Sequence, residues 1–259
     1  MKLSSELEAP HHQHFFCLRL DTDIEGNSDD DRDLTDRLYT GDSRYRLLQE
    51  AILGIAGVRM LIALGATNIQ KFHMNEGHSA LLTIELYRQY ASCAEPVEEV
   101  RRRTVFTTHT PVAAGHDIFG QDLALAVLGV HFVPSAIESL VFRSGVLHMT
   151  ELAMHFAGFI NGVAKRHGEV TRQLFPGYSI ESITNGVYAA GWVGPGMARL
   201  YDHYLPGWKT DPYSLRYALS IPTEDLWQGH MDDKRALIKY VNETHNAQMD
   251  PDVFTIGFA

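Results

Sequence analysis

Cysteine is scarce in this chain of 259 residues. The two present, Cys17 and Cys93, lie far apart and form no CxxC pair. That argues against a disulfide scaffold and a thiolate metal centre, and points to a reduced, cytoplasmic compartment. Basic residues are also few: 22 Lys and Arg stand against 32 Asp and Glu, a net charge of −10. This balance excludes nucleic acid, phosphate-rich polymers and acidic membranes as bulk partners. No apolar run reaches transmembrane length. Met1 to Pro10 lacks the apolar core of a signal peptide. Nucleotide fingerprints are missing as well: there is no GxGxxG, no GxxxxGK[ST], no GxSxG elbow and no HExxH.

What remains is a chain with 45% hydrophobic residues, enough for a sizeable core in one large α/β domain or two smaller ones. Much of the negative charge lies in Asp21 to Asp36, read as a solvated loop. The His11-His12-Gln13-His14 cluster sits in a polar end with no matching ligand spacing, so any metal there would be adventitious, and no metal site is expected.

The organising stretch is Val105 to Asp117. Thr104 to Thr107 is apolar and β-branched, a short buried strand. It breaks at Pro111 and Gly115 into a loop, and a helix-like run, Gln121 to Leu128, follows. In open α/β sheets ligands sit outside the carboxyl ends of the strands. Thr108, His109 and Thr110 are therefore placed at the rim of a crevice, with His116 on the far side of the loop.

Around it the chain alternates strand and helix. Phe15 to Leu20, Ile69 to Met74, Phe159 to Ala164 and Ile180 to Thr184 read as further strands. Asp42 or Ser43 can cap a helix whose apolar residues, from Leu47 to Ile62, recur at three and four until Gly65. Gly54 and Gly57 inside it allow a neighbour to approach closely. Ser79 to Tyr90, Val146 to Phe159 and Lys165 to Phe175 are predicted helices, and Glu95 to Arg103 a charged, solvated linker. The alternation calls for a mostly parallel sheet with helices on both faces. Glu76 and His78 fall at a strand end and a helix start, the same position as His109. Beyond Tyr188, glycine and proline crowd a region with one helix, Met197 to Tyr204. Thr223, as cap, opens a long helix to His245, and Val253 to Ala259 reads as a strand on which the chain stops, an unpaired edge suggesting truncation.

Four strand-end segments in order, Asn75-Glu76-Gly77-His78-Ser79-Ala80-Leu81, Thr107-Thr108-His109-Thr110, Val163-Ala164-Lys165-Arg166-His167-Gly168-Glu169 and Ile183-Thr184-Asn185-Gly186-Val187, resemble the glycogen (α-glucan) phosphorylase family. They are most similar to its shorter bacterial and archaeal members. Arg37-Leu38-Tyr39, Gly41-Asp42, Gln49-Glu50 and Gly57-Val58-Arg59 resemble it too, so the likeness runs from about Leu20 to Ala259.

The resemblance implies a Rossmann-like lobe of a two-lobed GT-B glycosyltransferase fold. Residues 1–190 would be a partial first lobe carrying a sugar half-site, and 191–259 the crossing and the beginning of the second lobe. It implies a parent glycosyltransferase in which inorganic phosphate cleaves the terminal α-1,4-linked glucose of a glucan, with retention, giving glucose 1-phosphate. Pyridoxal phosphate would be the parent's cofactor, its own phosphate serving proton transfer; α-1,4-glucan and inorganic phosphate would be the partners. A homo-oligomeric parent is left open. By motif, His109 matches the histidine beside the sugar ring, Asn185 an asparagine on a sugar hydroxyl, Val163 a backbone contact, and His78 and Glu76 cleft residues near the sugar.

The departures are as informative. The lysines are Lys2, Lys71, Lys165, Lys209, Lys234 and Lys239, and none stands in the family's pyridoxal-lysine context. That lysine and the phosphate-holding basic residues belong to a region beyond Ala259, and the glycine-rich glucan-facing loop belongs before this chain. Leu48 stands where relatives often have Lys, and Tyr188 where they often have His. The expectation is a phosphorylase fragment that is inactive by itself. A glycogen or starch synthase-like glucosyltransferase and a non-catalytic glucan-binding remnant are the alternatives.

Overall fold

The computed structural model describes residues 2–6 (backbone only), 17–38 and 41–257. Phe15, Phe16, Tyr39 and the His11 to His14 cluster lie outside them. Two compact units divide between Asn185 and Gly186.

In the first unit, β1 (Lys2–Glu6) and β2 (Cys17–Asp21) form an antiparallel pair. This corrects the place expected for the first predicted strand: it stands outside the parallel sheet. The acidic stretch is exposed, as its charge requires, yet it holds a helical turn, Asp29–Arg32, capped by Ser28. The helix Ser43–Ala51 opens where Asp42 accepts the Tyr45 N–H. It runs through a π-helical stretch, Ile52–Ala56, into Gly57–Ala63, and Gly65 (φ +85°) ends it. Of the two internal glycines only Gly54 admits a neighbour; a Cβ there would stand 2.9 Å from the Leu82 nitrogen, whereas Gly57 faces open space.

β3 (Phe72–Asn75) and β4 (Thr104–Thr108) start the main sheet. Between them, Pro96–Arg103 is a helix and not the solvated linker expected from its charges. Its glutamates and arginines pair along the exposed side while Val100 is fully buried. β5 (Ile118–Gly120), β6 (Phe142–Arg143) and β7 (Val146–His148) make a small antiparallel sheet in the order β5-β7-β6. The predicted helix from Val146 therefore begins only at Met149 and ends at Phe156. β8 (Phe159–Gly162) and β9 (Glu181–Ser182) complete the main sheet, with the helix Lys165–Leu174 between them.

The main sheet is parallel throughout, in the order β3-β4-β8-β9. Its centre is dry. Phe106 on β4 is fully buried, with Met74 on β3, Ile160 on β8 and Leu81, Ile84, Leu147, Met149 and Phe156 in the same core. Burial of a side chain the size of Phe106 contributes about 1.5–3 kcal/mol. Gly168 shows how tightly the β8–β9 crossover packs: a Cβ there would stand 2.0 Å from the Ser182 hydroxyl.

In the second unit, Pro195–Tyr204 and Thr223–His245 are α-helices. The Asp233 carboxylate of the long helix accepts the N–H groups of Gly196 (2.6 Å) and Met197 (3.0 Å) at the start of the short one. Trp208, fully buried, packs with Leu205 and Ile221 and donates its indole N–H to Asp202. The long helix is capped by Pro222, not Thr223: Asp225 N–H bonds the Pro222 carbonyl. The strand expected from Val253 is instead a turn and irregular chain through Gly257, and its last two residues lie outside the described set. No helix among the described residues is long and apolar enough to cross a membrane.

Candidate functional site

The parallel order brings the carboxyl ends of four neighbouring strands to one edge of the sheet. Glu76, His109, Val163 and Asn185 all leave the sheet there, and specific bonds tie them in pairs.

Glu76 follows β3 directly. Its N–H still bonds the Thr107 carbonyl, continuing the ladder, while its backbone takes φ +64°. That conformation is uncommon for a residue with a side chain and costs about 1–3 kcal/mol. In return it turns a buried carboxylate toward the next strand. Glu76 Oε2 accepts the His109 N–H at 2.7 Å and the Thr110 hydroxyl at 2.8 Å. The loop after β4 is thus held by Glu76, and the His109 side chain is exposed at its tip. Behind it, Thr107 Oγ1 donates to Asn161 Oδ1 (2.9 Å) and meets His73 Nε2 (2.7 Å), a polar row crossing three strands.

On the other side, the Ile183 N–H bonds the Gly162 carbonyl and the Asn185 N–H bonds the Val163 carbonyl, both at 3.0 Å. Strand-like pairing therefore runs past the short β9 and fixes the exposed Asn185 beside β8. The Val163 carbonyl accepts this bond with one of its two lone pairs.

His78 belongs to a different constellation. Its Nδ1 lies 3.5 Å from Asp117 Oδ2 and 3.7 Å from Glu50 Oε1, and Arg46 bonds Asp117 Oδ1. Bonds to Asp117 and Glu50 raise the His78 pKa to about 10. Burial, reinforced by Asp117, pushes Glu50 up to about 7. Burial alone would raise Asp117 too, but its bonds to His78, Glu50 and Arg46 hold it at about 2. The cluster thus sets two cationic groups, Arg46 and His78, against Asp117 and the buried Glu50.

His116, expected on the far side of the loop, turns into the core. It is 7% exposed, its Nδ1 lies 2.9 Å from Thr150 Oγ1, and its ring stacks edge-on against Phe175. Burial lowers its pKa, so it is neutral and structural.

Sequence reasoning missed Arg46, Glu50 and Asp117 as a group. A signal existed for Glu50: it stands three residues after Leu47 on the buried stripe, and a carboxylate there demands a partner. Nothing local announces Asp117 as that partner, since the two meet only through the fold.

In open parallel α/β sheets the carboxyl ends of the strands are where ligands bind, and the polar rim lies there. No protein-family model matches the chain. It is, however, 32% identical over 272 residues to the maltodextrin phosphorylase of Thermococcus litoralis. It is 36% identical over 292 residues to the glycogen phosphorylase of Mycobacterium tuberculosis, and 28% over 287 to that of Aquifex aeolicus. Each match takes in 93% of this chain but 33%, 34% and 40% of the respective relative. The chain is thus homologous over nearly its whole length to glycogen and maltodextrin phosphorylases, while spanning about a third of theirs.

Proposed function

We propose that this chain is the glucose-holding part of an α-glucan phosphorylase: a sugar half-site at the carboxyl edge of the first lobe of a GT-B glycosyltransferase, residues 1–190, followed by the crossing toward a second lobe, 191–259. One observation carries the reading. The four segments that resemble the phosphorylases in sequence, far apart along the chain, converge on one edge of one parallel sheet. The whole enzyme would transfer the terminal α-1,4-linked glucose of a glucan to inorganic phosphate.

The chemistry fits a neutral sugar. His109 and Asn185 stand exposed on anchored backbone, and each offers both donor and acceptor to hydroxyl groups. A rim of fixed polar groups discriminates by leaving its own groups unpaired when the wrong ligand enters. Glu76 serves as the anchor of the His109 loop, with its second oxygen, Oε1, buried and without a hydrogen-bond partner. His78, locked to Glu50 and Asp117, backs the same edge.

Pyridoxal phosphate does not fit the lysines described. Lys71 bonds the Arg102 carbonyl, Lys209 bonds Asp202 over the Trp208 ring, Lys234 bonds the Val253 carbonyl, Lys239 pairs with Glu243, and Lys165 is exposed. None is buried in a pocket that would favour a Schiff base. The cofactor would be held by parts of the enzyme other than these, and the chain by itself would not release glucose 1-phosphate.

The test is a chimera. The matching third of the Mycobacterium tuberculosis glycogen phosphorylase is replaced by this chain, and glucose 1-phosphate release from maltodextrin is measured after folding and cofactor loading are verified. Activity is expected in the chimera and none in the chain alone. A folded, loaded chimera without activity, or turnover by the chain alone, would overturn the reading.

A further inference from the structure

Glu50, His78 and Asp117 come from three separate elements: the Ser43–Ala51 helix, the turn after β3, and the residue before β5. One ligand atom from each, Glu50 Oε1, His78 Nδ1 and Asp117 Oδ2, lies within 4.8 Å of the others. Two of the edges run from His78 Nδ1, 3.5 Å to Asp117 Oδ2 and 3.7 Å to Glu50 Oε1. They are close to the edges of a tetrahedron whose centre makes bonds of 2.0–2.2 Å, about 3.3–3.6 Å.

A second observation bears on the same place. Glu50 is 5% exposed, and its other oxygen, Oε2, is buried with no hydrogen-bond partner. A buried carboxylate is costly to hold ionised, and because its charge is shared by both oxygens, an ion at Oε1 offsets that cost. Arg46 bonds the opposite oxygen of Asp117, and the Asp117 carbonyl accepts the Met149 N–H, so Oδ2 is oriented from behind. The His78 side chain is 35% exposed, so solvent reaches the cluster from that side.

We propose that Glu50, His78 and Asp117 form a site for one divalent transition-metal ion of the zinc type. A nitrogen and two carboxylate oxygens suit that class better than calcium or magnesium, which take oxygen ligands in larger number. The ion takes the place of the proton on His78 Nδ1 and of the one that Glu50 carries when protonated, and both leave to the buffer. Because the three ligands meet only in the folded chain, the ion binds the native state and raises its melting temperature.

The probe is Zn²⁺ alone, titrated calorimetrically into the full chain carrying H11Q, H12Q and H14Q, so that the terminal histidines cannot answer for it. One equivalent is expected to bind and to raise the thermal midpoint. Glu50→Gln, His78→Gln and Asp117→Asn, each with fold verified by circular dichroism, should weaken uptake at least tenfold. Should a variant fail to fold, Co²⁺ on the H11Q/H12Q/H14Q chain gives a second reading: the intense visible bands of four-coordinate cobalt are expected, and the weak six-coordinate spectrum would overturn the site. Zinc uptake that disappears with the terminal histidines, or is untouched by the three substitutions, means an adventitious ion only and refutes the proposal.

Discussion

Removing the Glu76 carboxylate should loosen the His109 loop and cost the first unit measurable stability. Glu76 Oε2 accepts two hydrogen bonds, from the His109 N–H at 2.7 Å and the Thr110 hydroxyl at 2.8 Å. Bonds to a charged acceptor contribute about 1.5–3 kcal/mol each. In Glu76→Ala both donors lose their partner, but His109 is exposed and Thr110 half-buried, so water recovers part of the loss. The lower end applies, about 3 kcal/mol for the pair. For a unit of this size each kcal/mol moves the melting point by about 2–4 °C, which gives a drop of about 6–12 °C. Glu76→Gln keeps one acceptor and loses the charge, so its cost should be about half that of Ala. Thermal unfolding followed by near-ultraviolet dichroism measures both, and hydrogen exchange at the His109 amide localises the effect. A Glu76→Ala chain that melts within a degree of the parent, with the His109 amide still protected, would show that the loop is held by something else.

In the chimeric enzyme, His109→Ala and Asn185→Ala should each lower kcat/KM by about 10- to 150-fold, equivalent to about 1–3 kcal/mol of lost hydrogen bonding. His116→Ala should instead lower the melting temperature, because its ring is core; a crippled His116 variant with unchanged stability would sink that assignment. Burial lowers the pKa of His148 and His155. The unfolded chain therefore binds protons that these two groups resist in the native chain, and their share of the stability falls below about pH 6.5, while His78, raised to about 10, contributes stability that is lost as the pH rises from about 6.5 toward 10. Urea midpoints at about pH 6.5, 8.0 and 9.5 check the alkaline limb, and a midpoint that stays level or rises with pH contradicts it. Trp192, Leu219, Phe254 and Ile256 are each more than three-quarters exposed, so size-exclusion chromatography should show self-association that weakens on dilution; a monodisperse monomer at high concentration would count against it.

The parallel sheet was legible because its strands are short apolar runs cut by glycine, proline or asparagine, and each is followed by a helical period. The same logic failed where two signals compete. Glu95 to Arg103 carries enough charge to look like a linker, yet Pro96 opens it as a helix and Val100 gives it one buried contact. Val146 to Phe159 is apolar enough for a single helix, but Ser144 and Gly145 form a tight left-handed turn that pairs Val146–His148 with Phe142–Arg143 first. For the site, the place of His109 at the rim followed from its strand end, whereas resemblance alone singles out Val163 and Asn185, Val163 reading as part of the strand itself. Glu76 is legible as a candidate cleft residue, but its work as a clamp is not, because that depends on a positive φ no sequence pattern announces. The Arg46–Glu50–His78–Asp117 set depends on long-range packing, beyond what periodicity encodes.

The arrangement of β4 between β3 and β8 has a kinetic consequence. Phe72 pairs with Thr104, and Val105 with Phe159, so the middle strand finds its partners only after two long stretches of chain have closed upon it. Such non-local parallel pairing is slow, since closure entropy is lost before contacts repay it. The rim cannot exist in a half-made lobe: Glu76 has no amide to grip until β4 has docked, and Asn185 has no carbonyl until β8 has. Maturation of the strand-end rim would then be a late event in folding, and a nascent chain released earlier would carry unpaired strands with the rim not yet formed.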